Sequence, residues 1–278
     1  MHQRIQLQWL GNACLALRNG QTLLIDPFLS RPDLRAFLTN PLHADPTLQK
    51  DLVPHCDHIF VTHAHYDHLL DAPGIAQRSQ AHIYGDANTC QICTCCGVAH
   101  SQMQIIAAGQ QVKAGAFRVS AIRGHHPWLP GFNSGQVKQN PSNSLRAQDY
   151  RMGKNFSFLI ETGDLRILVW SSTHTQGAVP ADVLCVRAVS DQRWYSDLLQ
   201  AVQPQLVLPT HWDDFFKPLS QSVQPFYGPP RWGWPPIQRI DVQAFSDRVR
   251  NALPGCKAFI PERLRWHDIH SLLNSHTE

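Results

Sequence analysis

"FVTHAHYDHLLDAP", residues 60–73, sets three histidines and an aspartate within six positions, directly behind an apolar run. His63, His65, Asp67 and His68 stand at i, i+2, i+4 and i+5, and no regular strand or helix turns all four toward one point. They can converge only where the chain leaves a strand and folds over a shared centre. Imidazole nitrogen and carboxylate oxygen are good ligands for zinc and related cations, and a catalytic site keeps one coordination position open. A solvated polar turn needs neither this density nor this choice of residues. The stretch reads as a metal-binding loop at the end of a strand.

Working outward, "DHIFVTH" is a short, buried, β-branched and aromatic strand, and "LLDAPGIAQRS" is a helix interrupted near Pro73. At the start of the chain Ile5, Leu7 and Trp9 alternate, a Gly-Asn turn follows, and "ACLALRNG" and "QTLLIDPF" continue as an antiparallel meander stopped by Pro27. Residues 30–55 carry scattered prolines and read as loop and short helix. "AHIYGD" is a strand, "ANTCQICTCC" a helix, and "AFRVSAIRGHH" an alternating strand that runs into His125 and His126. Beyond a polar loop at 127–155, "FSFLIET", "LRILVWSS" and "DVLCVRA" are strands and "WYSDLLQAV" is a helix. "PQLVLPTHWDDF" is a strand that again ends at a histidine, His211. A Pro- and Trp-rich stretch at 217–240 precedes the amphipathic helix "DVQAFSDRVRNAL" and a last strand, "KAFIPE". Two strand-rich halves with histidines at strand ends predict a two-layer sheet core with helices outside.

A chain of 278 residues that is 43% hydrophobic and 16% charged can bury a large core. A net charge of +3, with no basic stripe, argues against nucleic acid as a partner. No apolar h-region follows "MHQRIQLQWLG", and no stretch approaches the ~20 apolar residues of a membrane span. The expectation is a cytoplasmic protein, with association into a homo-oligomer left open. Cys14, Cys56, Cys185 and Cys256 lie in apolar segments and read as buried thiols. Cys90, Cys93, Cys95 and Cys96 cluster in "NTCQICTCCGV", where Cys90, Cys93 and Cys96 share one face of a helix. With no second Cys/His pair at zinc-knuckle spacing nearby, they read as small buried helix residues; a metal or redox centre is the alternative.

"THAHYDH" resembles the signature of the metallo-β-lactamase-fold hydrolases, and the likeness runs along nearly the whole chain. "IQLQWLGNACLAL" and "LLIDPFLS" resemble the start of the L-ascorbate-6-phosphate-lactonase-like branch, and "LPTHW" with "DDF" resembles its late histidine motif. The resemblance implies an α/β (α+β) fold: an αββα four-layer sandwich, two β-sheets flanked by helices. It implies one domain over residues 1–278, with loop insertions near 127–155 and 217–240. By position, His63 and His65 would bind a first metal with a histidine from the end of "FRVSAIRGHH". Strand alternation lets only one of His125 and His126 point inward, and the count from Phe117 against the family pattern favours His126. Asp67, His68 and His211 would bind a second metal. Asp26 would orient a ligand imidazole; a turn carboxylate before Pro27 is the alternative. Ser172 falls where the family places a bridging aspartate, so the second metal would be weak or absent, or His174 would compensate.

The activity so implied is hydrolysis by metal-activated water, with Asp67 as the catalytic carboxylate and one or two zinc ions, or manganese or iron in their place. The substrate would be a small or medium ester, lactone or phosphodiester. A phospholipase D-like reaction on a lipid is the alternative, and a metal-binding member without catalysis is a third reading. Trp128, Phe132, Trp212, Phe215, Phe216, Phe226, Tyr227, Trp232 and Trp234 adjoin the ligand loops. They could line an apolar pocket or pack their own loops onto the core. His43, His55, His58, His82 and His100 match no motif.

Overall fold

The structure is a computed structural model and describes residues 4–127, 135–137, 144–188, 191–228 and 238–275. β1 (Gln6–Gly11), β2 (Cys14–Asn19) and β3 (Gln21–Ile25) form the antiparallel meander that the alternation predicts. β4 (His58–Phe60), β5 (His82–Gly85) and β6 (Met103–Ile105) then add in parallel to β3. Parallel neighbours require crossovers. α1 (Leu34–Thr39) and α2 (Pro46–Leu52) lie between β3 and β4, α3 (Tyr66–Leu69) and α4 (Ala72–Ser79) between β4 and β5, and α5 (Ala87–Cys95) between β5 and β6. Pro73 does not interrupt a single helix. It sits in the first turn of α4, where its missing N–H leaves no bond unmade, and the break comes just before it.

The second half repeats the plan. β7 (Gln111–Ala114), β8 (Phe117–Arg123), β9 (Phe156–Thr162) and β10 (Leu165–Trp170) are antiparallel, and β11 (Val183–Arg187) and β12 (Leu206–Thr210) continue in parallel. α6 (Gln192–Val202) joins β11 to β12. β13 (Tyr227–Gly228) and β14 (Gln238–Arg239) make a small ribbon within the Pro- and Trp-rich stretch. α7 (Val242–Ala252) leads to β15 (Lys257–Ala258), the edge of this sheet. "KAFIPE" is therefore not the last strand. β16 (Trp266–Asp268) returns to the first sheet and pairs antiparallel with β1, and α8 (Ile269–Asn274) follows it.

Alternate residues of the meander serve two cores, as a strand's two-residue period dictates. Leu15, Leu17, Leu23 and Ile25 join Phe158, Trp170 and residues of the second sheet, together with Tyr195 and Phe245 of α6 and α7. Cys14, Ala16 and Leu24 face the other way, with Ile75 of α4 and Ile92 of α5. Two mixed sheets thus stand between helical layers, the αββα sandwich of the metallo-β-lactamase fold. α5 buries Cys90 and Cys93, leaves Cys95 and Cys96 half-buried, and all eight cysteines are free thiols. Burial pushes the Cys93 thiol well up and Cys96 to about 11, so these sulfurs stay protonated.

Candidate metal centre

The parallel strands end at one edge of the sandwich, and the polar loops leave from there. After β4 the chain runs through Thr62 into His63, His65 and the short α3 that carries Asp67 and His68. β8 stops at Arg123, so His125 and His126 lie beyond the strand and not on its alternating faces. His211 follows β12 directly. The described residues gather into two groups: His63, His65 and His126, and Asp67, His68 and His211, with the potential ligand atoms of each within 4.8 Å of one another.

These separations suit a cation. Ligands ~2.0–2.2 Å from a tetrahedral metal lie about 3.3–3.6 Å apart. His63 Nε2 and His65 Nδ1 are 3.1 Å apart, and Asp67 Oδ2 lies 3.4 Å from His68 Nε2 and 3.3 Å from His211 Nε2. The opposite ring nitrogens are engaged in ways that fix the tautomer. His68 Nδ1 donates to Asp26 Oδ2 at 2.8 Å, His126 Nδ1 to the Pro127 carbonyl at 2.8 Å, and His63 Nδ1 to Thr62 Oγ1 at 3.0 Å. Each of these rings is left with Nε2 as its free lone pair. Thr62 in turn donates both its amide and its hydroxyl to Asp26, each at 2.7 Å.

Burial, then the neighbouring imidazoles, holds His63 well below its ordinary pKa. The same causes push His126 down to about 4. Both are neutral at pH 7, the state a metal requires. Burial raises the Asp67 pKa, but His68 and His211 beside it outweigh that and hold its carboxyl below the usual range. Burial likewise opposes a charge on His68, and Asp67 and Asp26 overcome it and raise the pKa.

Several residues that a linear reading passes over support this edge. Asn12, at the tip of the β1–β2 turn, is fully buried and donates Nδ2 to the Asp67 carbonyl at 3.1 Å and to Asp67 Oδ2 at 3.2 Å. Its amide donates to Asp213 Oδ1 at 2.7 Å, and its carbonyl accepts from the His211 amide at 2.8 Å and Trp9 Nε1 at 3.0 Å. Asp213 is paired with Arg31 at 2.8 Å, both side chains being buried, and has Arg263 at 3.8 Å. Gly11 carries φ +108° beside that arginine, and a Cβ there would run into the guanidinium. Asn12, Asp26 and His211 adopt φ of +49°, +48° and +54°. Such backbone costs about 1–3 kcal/mol per residue and gathers at functional sites.

The other candidates fall elsewhere. Ser172 is buried, and its Oγ accepts the amides of His125 and His174, each at 3.1 Å, so it ties two loops together. The His125 and His174 rings stack on each other at 4.2 Å, and neither belongs to the two ligand groups. Trp212 stacks on Trp9 at 5.1 Å and is buried in the core. Phe215, Phe216 and Phe226 form a half-buried wall, with Phe215 6.3 Å from His211 and Phe216 5.3 Å from Phe37 of α1. Tyr227 is exposed, and Trp128, Phe132, Trp232 and Trp234 lie outside the described residues.

Comparison with known proteins bears on the whole arrangement. The family model for the beta-lactamase superfamily domain matches residues 21–212. A UPF0173 metal-dependent hydrolase of Pyrobaculum arsenaticum is 26% identical over 261 residues, covering 92% of this chain and 96% of that protein. Igni18, a metallo hydrolase of Ignicoccus hospitalis, superposes with a TM-score of 0.59 at 17% identity, over 95% of this chain and 97% of that one. CmlA, a diiron β-hydroxylase of Streptomyces venezuelae, gives a TM-score of 0.51 at 16% identity, over 96% of this chain and 55% of that one. At such identities the two structural likenesses show the fold alone.

Proposed function

The chain belongs to the beta-lactamase superfamily, and from that premise we propose a metal-dependent hydrolase that opens a lactone or related ester, or cleaves a phosphodiester. A metal-dependent hydrolase is also what its Pyrobaculum relative is named. The observation that carries the reading is the pair of ligand groups at one sheet edge. His63, His65 and His126 would hold one cation, and Asp67, His68 and His211 a second. Nitrogen-rich ligands favour zinc, with manganese or iron as alternatives; the diiron neighbour keeps iron in view. A divalent cation held by these residues would supply Lewis acidity, toward the oxygen of the scissile bond and toward water.

The chain's own groups do the rest. Asp67, held ionised, accepts a hydrogen bond from the attacking water and so orients it. Asp26 and Thr62 fix the rings of His68 and His63. Phe215, Phe216 and Phe226 give an apolar wall beside His211, suited to an acyl or aryl group near the reacting bond. A lipid phosphodiester is the second reading. Leu34 and Leu38 are exposed on α1, the helix that brings Phe37 against that wall.

Turnover of a lactone panel, a bis-aryl phosphodiester and a phospholipid in vesicles, before and after chelation, tests the proposal. At least one class should be hydrolysed, lose activity with chelator and regain it on return of zinc. No turnover of any of them by metal-loaded protein would favour a metal-binding member without catalysis.

A further inference from the structure

We infer that Asn12 is the positioning residue of the second ligand group, acting through Asp67 and His211. This rests on reading Asp67, His68 and His211 as a cation site. The argument begins with direction. Both groups facing the Asn12 side chain, the Asp67 carbonyl and Asp67 Oδ2, can only accept hydrogen bonds, so the amide must present its NH₂ to them. One NH₂ thereby fixes where Asp67 stands in the chain and how its carboxylate is rotated. The Asn12 carbonyl holds the amide of His211, so the same residue sets a ligand from the other sheet.

Asn12 is itself fixed from behind. Its amide rests on Asp213, whose charge is met by Arg31 and Arg263. Its φ of +49° suits asparagine and glycine and strains most other residues. Its Oδ1 is buried and has no hydrogen-bond partner among the described residues. A side chain chosen only for stability would not leave a buried acceptor unmet. The residue is explained by what its NH₂ does to Asp67. Among the described residues nothing comparable ties Asn12 to His63, His65 or His126, so its influence falls on one group alone.

The test is a zinc titration of the metal-free full chain, with thermal unfolding recorded alongside. Asn12→Gly tolerates the backbone conformation and can keep every main-chain bond, losing the side chain and with it the NH₂ bonds to Asp67. Asn12→Ala loses the NH₂ and also strains the turn. The wild-type chain should take up two equivalents. In Asn12→Gly the second should bind at least tenfold more weakly, with the first within twofold of wild type and the unfolding temperature little changed. Asn12→Ala should show the same selective loss at lower stability. If Asn12→Gly matches wild type and only Asn12→Ala weakens binding, the residue serves the turn and the inference is wrong. Equal weakening of both equivalents would also overturn it, as a general structural effect. A wild-type chain without a second equivalent would instead remove the underlying reading of Asp67, His68 and His211.

Discussion

Asp67 meets His68, His211 and Asn12 through a single carboxylate oxygen, which separates its role from that of His63, His65 and His126. Asp67→Asn should lower turnover by about 10²–10⁴-fold, the range for a positioned acid–base or water-orienting group. The cation held by His63, His65 and His126 should remain, as metal analysis of the same sample would show. His126→Ala should lower metal content sharply and His125→Ala should not, since His125 stacks on His174 instead. A reversed result would exchange the two histidines. His68 is raised by Asp67 and Asp26 against the pull of burial, so below that raised pKa a cation entering its group competes with a proton. Affinity there should rise with pH, by up to about tenfold per unit, and level off once pH passes the raised value. Titrations between pH 6 and 9 check the sign. The H-x-H-x-D-H density was legible because its residues are close in sequence. The roles of Asn12 and Asp213 were not, since their bonds span 55 and 201 positions.

The elements were legible wherever the apolar pattern ran long enough to show a period. The β1–β3 meander, β8–β12 and helices α5 to α7 stand close to where alternation and amphipathicity put them. β15 and β16, two and three residues long, carry no period, and β16 is defined by its pairing with β1 across the whole chain. Reading "AFRVSAIRGHH" as one strand erred for a related reason. β8 ends at Arg123, Gly124 makes one more cross-strand bond by donating to the Asn155 carbonyl, and the histidines follow as loop. α5 gives an element-scale prediction. Its thiols form no ligand group among the described residues. Replacing Cys90, Cys93 and Cys96 with alanine should leave metal stoichiometry unchanged and cost about 1–3 kcal/mol in urea unfolding, from lost burial. Loss of one metal equivalent would reveal a separate cysteine site.

For the whole molecule, the candidate ligands arrive from both halves. His63, His65, Asp67 and His68 leave the first sheet and His126 and His211 the second, so each group closes only when the sheets pack face to face. The shared core and the Trp9–Trp212 stack provide that packing, with Trp212 next to His211. No described helix is long and apolar enough to cross a membrane. A cation binding only the packed state should stabilise it by about 3–4 kcal/mol at 100–1,000 times its dissociation constant. The most direct test is elemental analysis of the purified chain after reconstitution with zinc and removal of loosely held metal. One to two equivalents per chain are expected in the wild type, the second held more weakly because Ser172 stands where the family places a bridging aspartate, with the equivalent assigned to His63, His65 and His126 lost on His63→Ala. No bound transition metal in the reconstituted wild type would contradict the reading of this sheet edge as a metal centre.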